Sequence, residues 1–236
     1  MHTPSHFQQH NRLLAALPRA EYERLRPQLE PMRFRPGQTL YESDDYIRYV
    51  YFPTCGMVSL LSSTPAGQTV EVGMIGSEGM AGLPAVLGVD LMPYRVTAQL
   101  AADTLRLKRA VLGEELKRAP RLRELLLRYT STVLRQITQS AVCNRFHTTE
   151  ERLCRWLLTA RGCAQVDSFQ LTQESIAHML GVPRTSVTMI ASRLQQLGLI
   201  NYSRGRITIR DRQRLADAAC ECYQVIASEI ARYLAA

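Results

Sequence analysis

The spacing of apolar residues changes twice along the chain. Over residues 11–30, NRLLAALPRAEYERLRPQLE, they fall at Leu13, Leu14, Leu17, Tyr22, Leu25 and Leu29, the three- and four-residue steps of short helices. From about residue 32 to 110 the chain breaks into short β-like runs: MRFRPGQTLY, IRYVYFP, GMVSLLSS, QTVEVGMIG, YRVTAQLAA and DTLRLKRA. Many short strands with Gly and Pro between them predict a small antiparallel β-roll or barrel. One segment interrupts it, GSEGMAGLPAVLGV, which reads as a glycine loop feeding a short helix.

Helical spacing returns over residues 111–146, where Pro120 divides a short helix from a long one. On the long helix Leu122, Leu126, Tyr129, Val133 and Ile137, followed by Ala141, form one stripe, while Arg121, Arg128 and Arg135 fall on other faces. Two partners fit this stripe: the chain's own β-roll, or a second copy of the helix across a dimer axis. The helix leads straight out of the β unit into another module, which favours the dimer seam. The next helix, TTEERLCRWLLTARG, starts at a threonine cap with acidic residues in its first turn and is expected to end at Gly162, its apolar face carrying Leu153, Trp156 and Leu157.

Composition narrows the class. The 236 residues are 46% hydrophobic and 21% charged, an ordinary globular balance with room for two compact units. No apolar run approaches the ~18 residues of a membrane span. The opening MHTPSHFQQHNRLLAALPRA has no charged region followed by an apolar one, so a cytoplasmic protein is expected. The net charge of +8 suits an anionic partner such as nucleic acid, and nearly all the cations are arginine, the residue with forked contacts to phosphate and guanine. The six cysteines, at 55, 143, 154, 163, 220 and 222, include no C-x-x-C pair or zinc-ribbon spacing, so no metal site is expected. Cys220 and Cys222 stand close, but neighbours two apart on a helix face different ways, which favours ordinary packing over a joint metal or redox role.

Residues 171–200 carry the clearest motif, LTQESIAHMLGVPRTSVTMIASRLQQLGLI. Thr172 caps a first helix, Glu174 lies at its positive end and Leu171 staples onto Ile176. Ile176 and Leu180 turn inward, Ala177 leaves room for a crossing helix, and Gly181 supplies a left-handed turn. Val182, Val187, Ile190, Leu194 and Leu197 give the second helix its buried face. A small residue four before the glycine and Val187 six after it have the spacing of a helix-turn-helix, whose second helix enters the major groove. The candidate DNA-binding residues are Thr172, Gln173, Arg184, Thr185, Ser186, Thr188, Met189 and Arg193. LINYSRGRITIR adds two strands and a wing, with Arg204 and Arg206 set to meet a phosphate backbone.

A β-roll, a long connecting helix and a winged helix with LTQESIAHMLGVPRTSVTMIASRLQQLGLI and YSRGRITI resemble the Crp/Fnr family of bacterial transcription regulators over almost the whole chain. The resemblance implies an α+β protein with an N-terminal antiparallel β-roll of the cyclic-nucleotide-binding type, a long dimerisation helix and a C-terminal winged helix-turn-helix. The division is 1–120, 121–146 and 147–236. It implies a homodimer on palindromic double-stranded DNA that acts by contacting RNA polymerase or blocking it.

Two departures qualify the resemblance. Family members read DNA with Arg-Glu or a Glu-led pattern and a second Arg one turn on; here Arg184 holds the first position, but Thr185 and Met189 hold the others. A different operator is therefore expected, because neither residue makes the contacts of Glu to cytosine or Arg to guanine. Nucleotide-binding members have a Gly-Glu-x-Gly loop and a later Arg followed by a hydroxyl residue. Here Gly76-Ser77-Glu78-Gly79 displaces the Glu by one, and Arg95 precedes Val96. Gly76, Glu78, Gly79, Arg95 and Thr97 form the candidate effector pocket, with another anion, or a simple Glu78–Arg95 pair, favoured over cyclic AMP or GMP. An iron–sulfur cluster is not expected, since the first cysteine is Cys55. Haem is little supported, since no histidine lies between His10 and His147.

Competing readings are a regulatory subunit that contacts protein through its helix pair and a cupin-like enzyme. The second needs histidines on facing strands, which residues 11–146 lack. Control without a ligand, by abundance or by oxidation of an exposed thiol, is the remaining option at the sensing end.

Overall fold

Residues 11–235 are described by a computed structural model; the first ten residues, half of the stretch inspected for an export signal, lie outside it. Two short helices, α1 (Arg12–Ala15) and α2 (Arg19–Leu25), precede seven strands: β1 (Glu30–Phe34), β2 (Thr39–Tyr41), β3 (Tyr49–Cys55), β4 (Val58–Ser63), β5 (Thr69–Ile75), β6 (Arg95–Ala98) and β7 (Ala102–Lys108). These form two antiparallel sheets, ordered β1-β7-β3 and β2-β6-β4-β5. The predicted interruption is a 3-10 turn at Leu83–Leu87, entered and left through left-handed Gly82 and Gly88.

Pro120 divides α3 (Arg109–Arg118) from α4 (Pro120–Phe146), as its missing N–H and fixed φ require. The C-terminal region holds α5 (Thr149–Ala164), β8 (Ser168–Gln170), α6 (Gln173–Leu180), α7 (Arg184–Gln196), β9 (Ile200–Ser203), β10 (Arg206–Ile209), α8 (Arg212–Asp217) and α9 (Cys222–Ala235). Thr148 and Glu151 form a reciprocal capping box at the start of α5. That helix runs through Gly162, the expected stop, and ends instead where Gln165 turns left-handed at φ 56°. No helix among the described residues is long and apolar enough to cross a membrane.

The roll encloses one apolar core, and α5–α8 with the third sheet, β8-β10-β9, enclose another. The second also takes in Met57, Met74 and Leu100 from the roll, so the two units share packing. The helix α9 follows α6 and α7 in sequence but lies along α4, and its Tyr233 joins the first core. The boundary expected at residue 147 thus separates in sequence what α9 rejoins in space.

The stripe expected at a dimer seam has a different partner. Leu122, Leu126, Tyr129 and Val133 are buried in the roll's own core, with Ile137 packed against it. They are already covered within one chain. The helix carries a second stripe, Leu127, Ser131, Leu134, Thr138 and Ala141, on its exposed side. Leu127 and Leu134 are 46% and 61% exposed.

Candidate functional site

The helix-turn-helix forms as its local chemistry dictates. Thr172 Oγ1 accepts from Ser175 N at 3.1 Å, capping α6, and Gly181 reverses the chain at φ 64°. Ile176, Ala177 and Leu180 of α6 pack with Val187, Ala191 and Leu194 of α7. Leu197, expected in this face, is 44% exposed: α7 ends at Gln196, Gly198 turns left-handed, and Leu199 takes the buried place. The buried Arg152 of α5 donates to the Leu180 carbonyl, satisfying the end of α6 from beneath.

The opposite face of α7 is open. Arg184, Thr185, Thr188, Met189 and Arg193 are exposed, Met189 at 69%, while Ser186 is half-buried in the first turn. Thr188 donates to Gln173 Oε1 at 2.7 Å, joining the reading helix to the start of α6. Arg193 lies 3.4 Å from Glu150, so one candidate phosphate contact has a partner within the chain. Beside them β9 and β10 meet in a two-residue turn at Arg204 and Gly205, with φ of 49° and 73°. Thr172, Gln173, Arg184, Tyr202, Arg204 and Gly205 line one groove, so the wing tip and the N-terminus of α7 face the same space. Sequence reasoning missed β8, which pairs with β10 and braces the wing.

The candidate effector residues are not brought together. Gly76 N donates to Glu78 Oε1 at 2.8 Å, turning the carboxylate back on its own loop, where burial raises its pKa. Arg95 instead pairs with Glu42 at 2.6 Å, and both are about half-exposed. Thr97 is buried in β6, its hydroxyl without a hydrogen-bond partner.

The loop itself is packed shut. Its successive carbonyls each have a donor: Arg12 N to Ser77 at 2.6 Å, the Tyr233 hydroxyl to Glu78, Asn11 Nδ2 to Gly79 at 2.9 Å, and the Tyr129 hydroxyl to Met80 at 3.2 Å. A Cβ on Gly79 would lie 2.3 Å from the Tyr129 ring, and one on Gly76 would lie 2.8 Å from Cys163 Sγ. These residues do not fit a cyclic nucleotide. The carboxylate is engaged elsewhere, the arginine is on another partner, and aromatic carbon occupies the space against the glycine.

Behind this loop β5 meets α5. Trp156 Nε1 donates to Glu71 Oε1 at 2.8 Å, and Ser59 donates to the other oxygen. Burial raises the Glu71 pKa to about 7 against these hydrogen bonds. A carboxylate of the roll is thus held by a tryptophan of the C-terminal unit, a contact no local spacing announces.

One cysteine expectation needs correcting, that Cys220 and Cys222 face different ways. Cys220 lies in the bend before α9 and Cys222 opens that helix, so the two-apart rule for helical neighbours does not govern them. Their thiols converge with Cys143 and His147, and all four candidate ligand atoms lie within 4.8 Å of one another. The signal available in sequence was Cys143 and His147 at i, i+4 on a helix, rather than a C-x-x-C pair.

Known proteins share this arrangement. The model of the cyclic nucleotide-binding domain matches residues 31–119, and that of the Crp-like helix-turn-helix domain matches residues 151–218. The transcriptional activator protein anr of Pseudomonas aeruginosa is 27% identical over 186 residues, 75% of each chain. The CRP-like cAMP-activated global transcriptional regulator of Mycobacterium tuberculosis is 24% identical over 202 residues, covering 83% of this chain and 90% of that protein. Among solved structures, FixK2 from Bradyrhizobium japonicum superposes with a TM-score of 0.69 at 19% identity, over 81% of this chain and 98% of that one. With a roll of the cyclic nucleotide-binding type, a connecting helix and a Crp-like helix-turn-helix in one order on one chain, the protein belongs to the Crp/Fnr family and is a DNA-binding transcription regulator, not an enzyme.

Proposed function

We propose that the protein is a homodimeric regulator that reads a palindromic operator with one α7 per subunit and needs no cyclic nucleotide to do so. The observation that carries this reading is the outward face of α7, with Arg184, Thr185, Thr188 and Met189 exposed beside the arginine-tipped wing. Arg184 stands where a guanine edge is reached in a forked contact, while Thr185 and Met189 offer a hydroxyl and an apolar surface. The operator differs accordingly from those read by Glu and a second Arg. Arg204 and Arg206 contact phosphates.

Regulators of this family bind DNA as dimers. In this chain the exposed stripe of α4 supports such a seam. Leu127, Ser131, Leu134, Thr138 and Ala141 recur at alternating steps of four and three, the heptad spacing of a two-stranded coil. Half-sites then lie about one helical turn apart. Bound there, the dimer acts through contact with RNA polymerase or by blocking it.

The loop at residues 76–80 supports ligand-independent reading, because its carbonyls and its glycine face are used up within the chain. Selection from random duplex DNA with purified protein, no added ligand and near-physiological salt tests the proposal. One enriched palindrome is expected, with affinity falling steeply as salt rises. Enrichment only after cyclic AMP or GMP is added would refute the ligand-free reading, and no enrichment under either condition would refute the operator reading.

A further inference from the structure

Three buried thiols and an imidazole meet where α4 ends and α9 begins. Cys143 and His147 lie one turn apart on the same face at the end of α4, and Cys220 and Cys222 approach from the other side. Cys143 Sγ is 3.5 Å from Cys220 Sγ, and Cys222 Sγ is 3.5 Å from His147 Nδ1. In a tetrahedral site, Zn–S of ~2.3 Å and Zn–N of ~2.0–2.1 Å separate neighbouring ligand atoms by about 3.6–3.8 Å. The spacings here, from 3.5 Å up to no more than 4.8 Å, bracket that edge length. The thiols also form a buried cluster separate from both apolar cores, so they are not part of ordinary core packing.

The surroundings suit a metal–thiolate centre. Glu221, between the two cysteines in sequence, lies 3.1 Å from His147 Nε2. With Nε2–H donating to that carboxylate, Nδ1 keeps its lone pair on the side of the thiols, the arrangement found behind metal-bound histidines. Gln139 Nε2 donates to Cys222 Sγ at 3.1 Å.

Arg152 and Arg155 of α5 are 8% and 7% exposed, and each has a buried Nε without a hydrogen-bond partner. Among the described residues neither lies within ion-pair distance of a carboxylate; the charge of Arg155 acts on the buried Glu71 as well as on Cys143 and Cys220, and that of Arg152 acts on the thiols. Buried cations need a counter-charge. Three thiolates around one divalent ion carry a net charge of minus one.

We propose that Cys143, His147, Cys220 and Cys222 bind one zinc ion in a closed tetrahedral site. Three thiolates and an imidazole select zinc over oxygen-seeking magnesium or calcium, and four protein ligands leave no open position for substrate. On binding, each thiol releases its proton, each sulfur and Nδ1 donates a lone pair, and nothing is oxidised or reduced. His147 is the residue at which α4 gives way to the DNA-binding unit, so the ion ties that joint to the start of α9.

The test uses full-length protein, reduced and stripped of metal, titrated with cobalt(II) and then zinc(II). One cobalt per chain is expected, with the intense ligand-field bands of a tetrahedral thiolate site, bleached by an equal amount of zinc. Zinc should also raise the thermal midpoint by several degrees. Cys143→Ser and Cys222→Ser should weaken zinc binding by more than about tenfold and change the cobalt spectrum. Cys55→Ser should do neither, since that thiol is exposed and outside the cluster.

If the cluster variants fail to fold, the wild type and Cys55→Ser still decide. An absent or octahedral cobalt spectrum in both would overturn the site, as would loss of the tetrahedral spectrum in Cys55→Ser. A Cys143–Cys220 disulfide in the protein before reduction, with no cobalt bound after full reduction, would also overturn it.

Discussion

The loop at residues 76–80 and the helix at Arg184–Gln196 occupy the two places where this fold meets something outside itself. At α7 Val187, Ala191 and Leu194 face inward while Arg184, Thr185 and Met189 stand exposed, beside a wing whose arginine tip turns the same way. At the loop the same backbone plan is filled in: Asn11, Tyr129 and Tyr233 donate to carbonyls, and the Tyr129 ring lies against Gly79. One surface keeps its side chains for a partner and the other spends them on the chain itself. A domain can therefore retain a family's fold while the side chains around one of its loops turn to partners within the chain.

The sharpest way to break the comparison is to reopen the closed end. Tyr129→Ala should remove a buried ring and a hydrogen bond and lower stability by roughly 3–5 kcal/mol in chemical denaturation. Tyr129→Phe should cost only about 1 kcal/mol. Equal losses would mean that the ring is not what fills the loop.

At the open end, Arg184→Ala should weaken operator binding by roughly 1–3 kcal/mol in fluorescence anisotropy, with an unchanged thermal midpoint, because the residue is exposed. A shifted midpoint with intact affinity would assign it to structure instead.

Glu71 joins the two ends and gives a pH-dependent prediction. Its folded pKa, raised to about 7 from 4.5, makes a contribution to stability that is fully present below about pH 4.5 and lost as pH rises through about 7. Glu71→Gln should keep acceptance from Trp156 and remove the titration. Its stability relative to wild type should therefore improve by roughly 2–3 kcal/mol between pH 5 and pH 8. A constant difference across that range would exclude Glu71 as the titrating group.

The smallest expected effect is from cyclic AMP or cyclic GMP. Neither should move the thermal midpoint of wild type, because a ligand stabilises only a state that binds it.

Much of this was legible in sequence because it is local. Strand runs, Pro120, the Thr172 cap and the Gly181 turn depend on residues within a few positions of each other, where propensity and capping act. The stripe expected at the dimer seam departs from the structure for a different reason. The long helix carries two stripes, and spacing alone does not say that Leu122, Leu126, Tyr129 and Val133 meet the roll while Leu127 and Leu134 remain outside. The thiol cluster was hidden because Cys143 and Cys220 are 77 residues apart, and no short motif spans a contact set by the return of α9 along α4. The closed loop was equally hidden, since one of its donors is Tyr233, 155 residues from the Glu78 carbonyl it reaches.

The two stripes of α4 also have a mechanical consequence. A single rod of 27 residues, about 40 Å long at 1.5 Å per residue, has one side embedded in the roll's core and the other side exposed. Repacking beneath Tyr129 that tilted the rod by about 5° would carry its far end through about 3.5 Å, close to the ~3.4 Å rise of one base pair. On this geometry a displacement too small to open a cavity at the roll becomes, at the reading heads, an error of one full step along the groove.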